Sequence, residues 1–218
     1  PSPSSWSSPV KYYQKLIENN KAWADQMVAQ DPEFFVKREA KQTPHYLVIG
    51  CSDSRVPLEL MTGALPGEMF VHRNIGNQVW ETDINLISVV QFAVGVLDVE
   101  HVIVCGHSNC GALKAAQGPT TNGLIDNWLS DIRNVIRWNA SELHACPSDE
   151  DRLHLLSRLN VMQQVGVLSR MPIIRDFWSR GKRPMLHGWV YDIGSGLIER
   201  VVEQVDSPER AAELLPRN

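Results

Sequence analysis

The chain has 218 residues, 43% of them hydrophobic and 21% charged, with a formal net charge of −4. That length suits one hydrophobic core, so residues 1–218 are read as a single domain of ordinary globular composition. The scattered Lys and Arg exclude the basic stripe of a nucleic-acid binder, and no apolar run reaches the roughly 20 residues of a membrane span.

Pro1–Ser8 is rich in Ser and Pro and reads as a flexible tail. Pro1 in place of Met is expected to reflect a processed or trimmed start, which leaves room for a transit peptide already removed. Val10–Gln30 carries Tyr13, Leu16, Ile17, Trp23 and Met27 near helical spacing, and Asp31-Pro32 opens a second helix through Ala40. This amphipathic arm can pack on a partner subunit or on its own core. Tyr46–Ile49, Met69–His72 and His101–Cys105 are short apolar runs and read as buried strands. Thr82–Leu97 is a helix capped by Thr82 or Asp83. Gly123–Trp138, Asp149–Arg170 and Pro172–Arg180 follow as helices. Met185–Tyr191 and Leu197–Val202, joined through Gly194-Ser195-Gly196, form a hairpin. The alternation implies an α/β fold: a mainly parallel central sheet with an antiparallel edge strand, helices on both faces and an N-terminal helical arm.

In such sheets ligands bind beyond the carboxyl ends of the strands. Three polar groups fall there: Cys51-Ser52-Asp53-Ser54-Arg55, His72-Arg73-Asn74-Ile75-Gly76-Asn77 and Gly106-His107-Ser108-Asn109-Cys110-Gly111. Zinc favours thiolate and imidazole, and catalytic sites have three protein ligands with a fourth position open. His107 and Cys110 stand three apart at a strand-to-helix turn, and Cys51 arrives from a neighbouring strand end. Two thiolates and an imidazole suit zinc better than magnesium or calcium. A closed structural site using Asp53 as fourth ligand is the alternative. Asp53 and Arg55 alternate with Cys51 in an extended segment, so an Arg fork can hold the carboxylate ionised beside the metal. Cys105 reads as a buried strand residue and Cys146 as a bystander in a loop. Four cysteines in a chain this long fit a reducing, intracellular compartment: the cytoplasm or, after loss of a transit peptide, the mitochondrial matrix.

Together these stretches resemble the three signature motifs of the β-class carbonic anhydrases, in the family's order, with the likeness running on to His187-Gly188-Trp189-Val190-Tyr191. The resemblance implies a zinc-dependent lyase that hydrates CO₂ to bicarbonate and a proton by metal-hydroxide attack. One zinc per chain is held by Cys51, His107 and Cys110, with Asp53–Arg55 as the catalytic dyad and Asp53 a fourth metal ligand only in a closed state. It also implies a homodimer, or a dimer of dimers, acting on CO₂ and bicarbonate with no nucleic acid or membrane. Thr82-Asp83-Ile84-Asn85 is similar to the bacterial-type branch. Some members of that branch bind inhibitory bicarbonate through Trp, Arg and Tyr. Arg73 and Tyr191 match, but Val48 stands where the Trp would be, so this inhibitory site is expected to be missing. Hydrolysis of CS₂ or COS at the same site, and a non-catalytic zinc protein, are the rival readings. A zinc deaminase is excluded because no His-x-Glu with Pro-Cys-x-x-Cys is present.

Overall fold

The computed structural model describes residues 9–121 and 123–214, so the tail expected at Pro1–Ser8 lies outside the described residues. The chain divides into two compact units, the first ending at Gln42 and the second beginning at Thr43. The first unit holds α1 (Pro9–Gln30) and α2 (Val36–Glu39). Trp23 of α1 meets Phe34 and Phe35 edge-on, with ring centroids 6.3 and 5.5 Å apart, so the segment folds back on itself. The helix expected from Asp31 to Ala40 shrinks to α2. Its first half is a tight turn, in which Asp31 O accepts Phe34 N and Asp31 Oδ1 accepts Glu33 N. Along α1, Tyr12, Tyr13, Leu16 and Ile17 remain more than half exposed.

The second unit runs β1 (Tyr46–Cys51), α3 (Leu58–Thr62), β2 (Met69–Asn74), α4 (Ile84–Gly95), β3 (His101–His107) and α5 (Gly111–Gln117). It continues through α6 (Leu124–Trp128), α7 (Ser130–Trp138), α8 (Ala140–His144), α9 (Asp149–Arg170) and α10 (Pro172–Ser179). It ends with β4 (Met185–Tyr191), β5 (Ile198–Val205) and α11 (Pro208–Leu214). The sheet order is β2-β1-β3-β4-β5, parallel except for the antiparallel edge pair β4–β5. Asp83 caps α4 by accepting the N–H groups of Asn85 and Leu86. Ser148 does the same for α9 through Asp151, and three acidic residues in that first turn complement the helix dipole.

The two faces of the sheet are covered unequally. On one face Leu47, Ile49, Val102, Val104 and Leu186 pack against α4, α9 and α10 in the main core. Gly106 and Gly188 let α9 approach the sheet closely, since a Cβ on either would stand 2.8 or 2.6 Å from a methyl of Val161. On the other face Val48, Ile103 and Cys105 meet Val56 and Leu58 at α3. There Tyr46, Met69, Val71, Trp189 and Tyr191 are only partly buried.

Two local differences from the sequence reading have physical causes. The helix expected over Gly123–Trp138 is broken at Leu129, where ψ of 1° departs from the helical range and the side chain is buried in the core, so α6 and α7 are separate. The strands also run further than their apolar cores suggest. β1 ends on Cys51, β2 on Asn74 and β3 on His107, because ladder pairing continues through the polar residues, as Cys51 opposite Asn74 and His107 opposite Tyr191 show.

Candidate metal centre

Parallel pairing sets the ends of β1, β2 and β3 side by side at one edge of the sheet, where Cys51, Asn74 and His107 are the last strand residues. Cys110 follows one turn later, immediately before α5. The candidate ligand atoms of Cys51, His107 and Cys110 all lie within 4.8 Å of one another, and all three residues are buried. Among the described residues this is the one group of three or more side chains arranged to hold a metal ion.

The donor chemistry fits zinc. His107 Nδ1 lies 2.9 Å from the carbonyl of Ser108. A carbonyl only accepts, so Nδ1 carries the proton and Nε2 presents a lone pair. Nε2 is buried and has no hydrogen-bond partner in the protein, an arrangement that costs free energy unless something else coordinates that nitrogen. The interaction between the Cys51 and Cys110 thiols draws Cys51 down, against the opposing effect of burial, with His107 and the Gly76 N–H assisting. The same interaction pushes Cys110 up, and burial adds to it. A single positive ion would relieve both, since thiolate is the form that binds metal. Cys105, though nearby in sequence, packs with Val48, Val56, Leu58 and Ile103 and is fully buried, with burial pushing its thiol up to about 12. Cys146 is only partly buried and contacts the Glu142 carbonyl.

Asp53 and Arg55 form the fork expected of them. Arg55 Nε and Nη2 donate to the two carboxylate oxygens at 2.9 and 2.7 Å, and the Arg55 backbone N–H adds a third bond at 3.0 Å. The guanidinium holds the Asp53 carboxyl well below the usual carboxylate range. Asp53 Oδ2 lies 3.7 Å from His107 Nε2, at the rim of the cluster but outside the three-residue group. Of the two states considered for Asp53, this is the Arg-paired one.

Several residues support the site without reaching the ligand cluster, some from the end of β2 and others from α9. Arg73 donates to the carbonyls of Cys51 and Val56, both at 2.8 Å, and so spans the two ends of the loop that carries Asp53 and Arg55. The side chain of Asn74 bridges the turn after β2, accepting Gln78 N at 2.8 Å and donating to Gln78 O at 2.7 Å. Asn160 on α9 donates to Gly76 O, and Gln164 one turn on binds Asn160 and Asp131 and accepts Val79 N. The sequence held one clue to this network: amides on what should be an apolar stripe of α9. His72 is buried and ends near the Asn74 amide, where burial lowers its pKa. Val48 is wholly buried against Val56, Leu58 and Ile103.

A family model described as "Carbonic anhydrase" matches residues 46–198. A carbonic anhydrase of Emericella nidulans is 39% identical over 98% of this chain and 95% of its own length. The fold is similar to a β-carbonic anhydrase of Coccomyxa solved in complex with acetazolamide, with a TM-score of 0.89 and 40% identity over 93% of this chain and 92% of that one. It is similar also to one of two tetrameric β-carbonic anhydrases of Sordaria macrospora, with a TM-score of 0.83 and 39% identity over 87% and 96%.

Proposed function

The chain belongs to the β-class carbonic anhydrases, and from that premise we propose that it hydrates CO₂ reversibly to bicarbonate and a proton at one zinc ion held by Cys51, His107 and Cys110. The observation that carries the ligand assignment is the buried, unpartnered His107 Nε2 facing two thiols. When bound, zinc supplies the Lewis acidity that brings the ionisation of water from far above neutrality to near pH 7. The rest is done by the chain. Asp53, ionised and fixed by the Arg55 fork, accepts a hydrogen bond from the attacking water and so orients its lone pair toward carbon. Arg55 also donates to Asn109 O at 3.3 Å, which ties the dyad to the loop between His107 and Cys110. Arg73 keeps the Asp53 loop from opening. A closed arrangement with Asp53 on the metal belongs to this proposal as the competing state.

Stopped-flow CO₂ hydration with metal analysis tests the reading. We expect one zinc per chain and turnover that disappears when a chelator removes the metal and returns when zinc is restored. Zinc-replete protein with no CO₂ hydration would overturn it, and turnover of CS₂ in its place would favour the rival substrate.

We propose further that the arm and the α/β unit serve together as one domain of a homodimer or dimer of dimers. The thinly covered sheet face and the exposed Tyr12, Tyr13, Leu16 and Ile17 support this, since parallel sheets are buried on both faces. Four free thiols fit the intracellular location expected for it. Sedimentation of active protein should give at least twice the 24.5 kDa of one chain, and deleting residues 1–20 should weaken the assembly. Active monomers at dilute concentration would refute it.

A further inference from the structure

The peptide between Ile75 and Gly76 is engaged at both ends. Its N–H, on Gly76, donates to Cys51 Sγ at 3.4 Å in a buried setting. Its carbonyl, on Ile75, accepts the indole N–H of Trp128 at 2.7 Å, with a longer bond from Gln78 Nε2 at 3.3 Å. The amide is conjugated, so a donor on the oxygen polarises the N–H at the other end, and hydrogen bonds in such a chain strengthen one another.

We propose that Trp128 is a positioning residue for the metal centre, acting through the Ile75–Gly76 peptide to aim and strengthen the N–H that the Cys51 sulfur accepts. The proposal rests on the reading of Cys51 as a metal ligand. A stronger N–H on that sulfur draws electron density from it, so the sulfur gives less charge to the metal and the metal stays the stronger Lewis acid. Outer-shell donors tune metal sites in this way.

The surroundings hold the peptide in place. Gly76 has φ +82°, a left-handed conformation that side-chain-bearing residues avoid. A Cβ there would come within 3.0 Å of Ile132 Cδ1 and 3.2 Å of Ala112 Cβ. Asn160 fixes the next carbonyl, that of Gly76, at 3.1 Å. Trp128 is itself fixed, stacked on Trp80 with centroids 5.6 Å apart and planes 8° from parallel, while its own carbonyl accepts Gln78 Nε2 at 2.9 Å. The break at Leu129 ends α6 on Trp128, next to the stretch that follows β2.

The test uses the full chain loaded with cobalt(II), whose thiolate-to-metal charge-transfer band reports the electron richness of the sulfur. Trp128→Phe keeps an aromatic ring on Trp80 and removes the N–H. Its band should shift to longer wavelength, and kcat/KM of the zinc form should fall about tenfold, the low end for an outer-shell partner, through kcat rather than KM. Trp80→Phe disturbs the same stack but leaves the donor, so its band should stay put. Site-specific β-(3-benzothienyl)alanine at position 128 replaces only the N–H by sulfur, and should reproduce the shift even where the phenylalanine variant folds poorly. Bands of both position-128 variants superimposable on wild type would overturn the proposal. A wild-type cobalt protein without a thiolate band would overturn the ligand reading beneath it.

Discussion

His107→Ala, Cys51→Ser and Cys110→Ser should each lose zinc and CO₂ hydration together. The apparent binding free energy of structural zinc sites, about 10–16 kcal/mol near pH 7, is shared among a few bonds, so removing one of three ligands should take occupancy from one per chain to near none. His107→Ala also empties a buried volume, and its loss of metal mixes coordination with packing. Cys110→Ser separates them, because serine nearly preserves the shape and withdraws only the thiolate. The cysteine variants should therefore keep a folded circular-dichroism spectrum while metal analysis shows the loss. Cys105→Ser and Cys146→Ser should retain zinc, since one packs among Val48, Val56 and Ile103 outside the three-residue group and the other sits apart on a loop. Full occupancy in any of the first three variants removes that residue from the ligand set.

Removal of the metal also has a pH direction. Both sulfurs bind metal as thiolates, the form that low pH removes. Acid should thus release zinc as the thiolates are protonated, and metal analysis after dialysis across a falling pH series checks this.

The polar residues at three strand ends were legible because a parallel sheet places successive strand ends on one edge whatever lies between them. The pairing of Asp53 with Arg55 was legible from the two residue types beside a candidate ligand, but the extended segment expected to align them is a turn, in which Asp53 O accepts Val56 N and Asp53 Oδ1 accepts Arg55 N. The supports of the site were not legible. Arg73 reaches carbonyls 22 and 17 residues away, and Asn160 meets Gly76 across 84 residues. Such pairings are fixed by how α9 docks on the sheet, and no local pattern encodes that docking. The break at Leu129 escaped for a similar reason. The apolar periodicity of Gly123–Trp138 continues across it, and only the burial of Leu129 in the core selects a turn over a continuous helix. The same break delivers Trp128 to Ile75, so one element the sequence left hidden leads to another.

Arg55→Ala should keep zinc and lose most activity, with what remains moved to higher pH. In the structure the guanidinium takes both carboxylate oxygens of Asp53. Without it, the carboxylate is a free anion whose Oδ2 stands 3.7 Å from the nitrogen that faces the metal position, and it becomes a ligand. Hydroxide is the better ligand, so raising pH should displace Asp53 and recover turnover. In the wild type the sign runs otherwise. The folded-state pKa of Asp53 is held below its unfolded value, so the fork contributes stability above that unfolded value, near about 4. This contribution disappears as pH falls through the folded value. Asp53 is therefore ionised across the working range, and its titration does not set the acid limb of wild-type activity. Asp53→Asn should keep zinc and lose roughly a hundredfold or more in kcat/KM, the scale of a positioned proton-handling group, without the high-pH recovery, since an amide is a poor ligand and competes little with water. Added bicarbonate should leave the shape of the wild-type profile unchanged beyond product inhibition. Val48 is buried where a tryptophan would be needed, and both outer nitrogens of Arg73 already hold the carbonyls of Cys51 and Val56. The decisive measurement is kcat/KM against pH for the three proteins, with and without bicarbonate. Wild-type rates in Asp53→Asn would remove Asp53 from catalysis, and cooperative shut-off of the wild type by bicarbonate would show that Arg73 gives up its carbonyls to bind the anion.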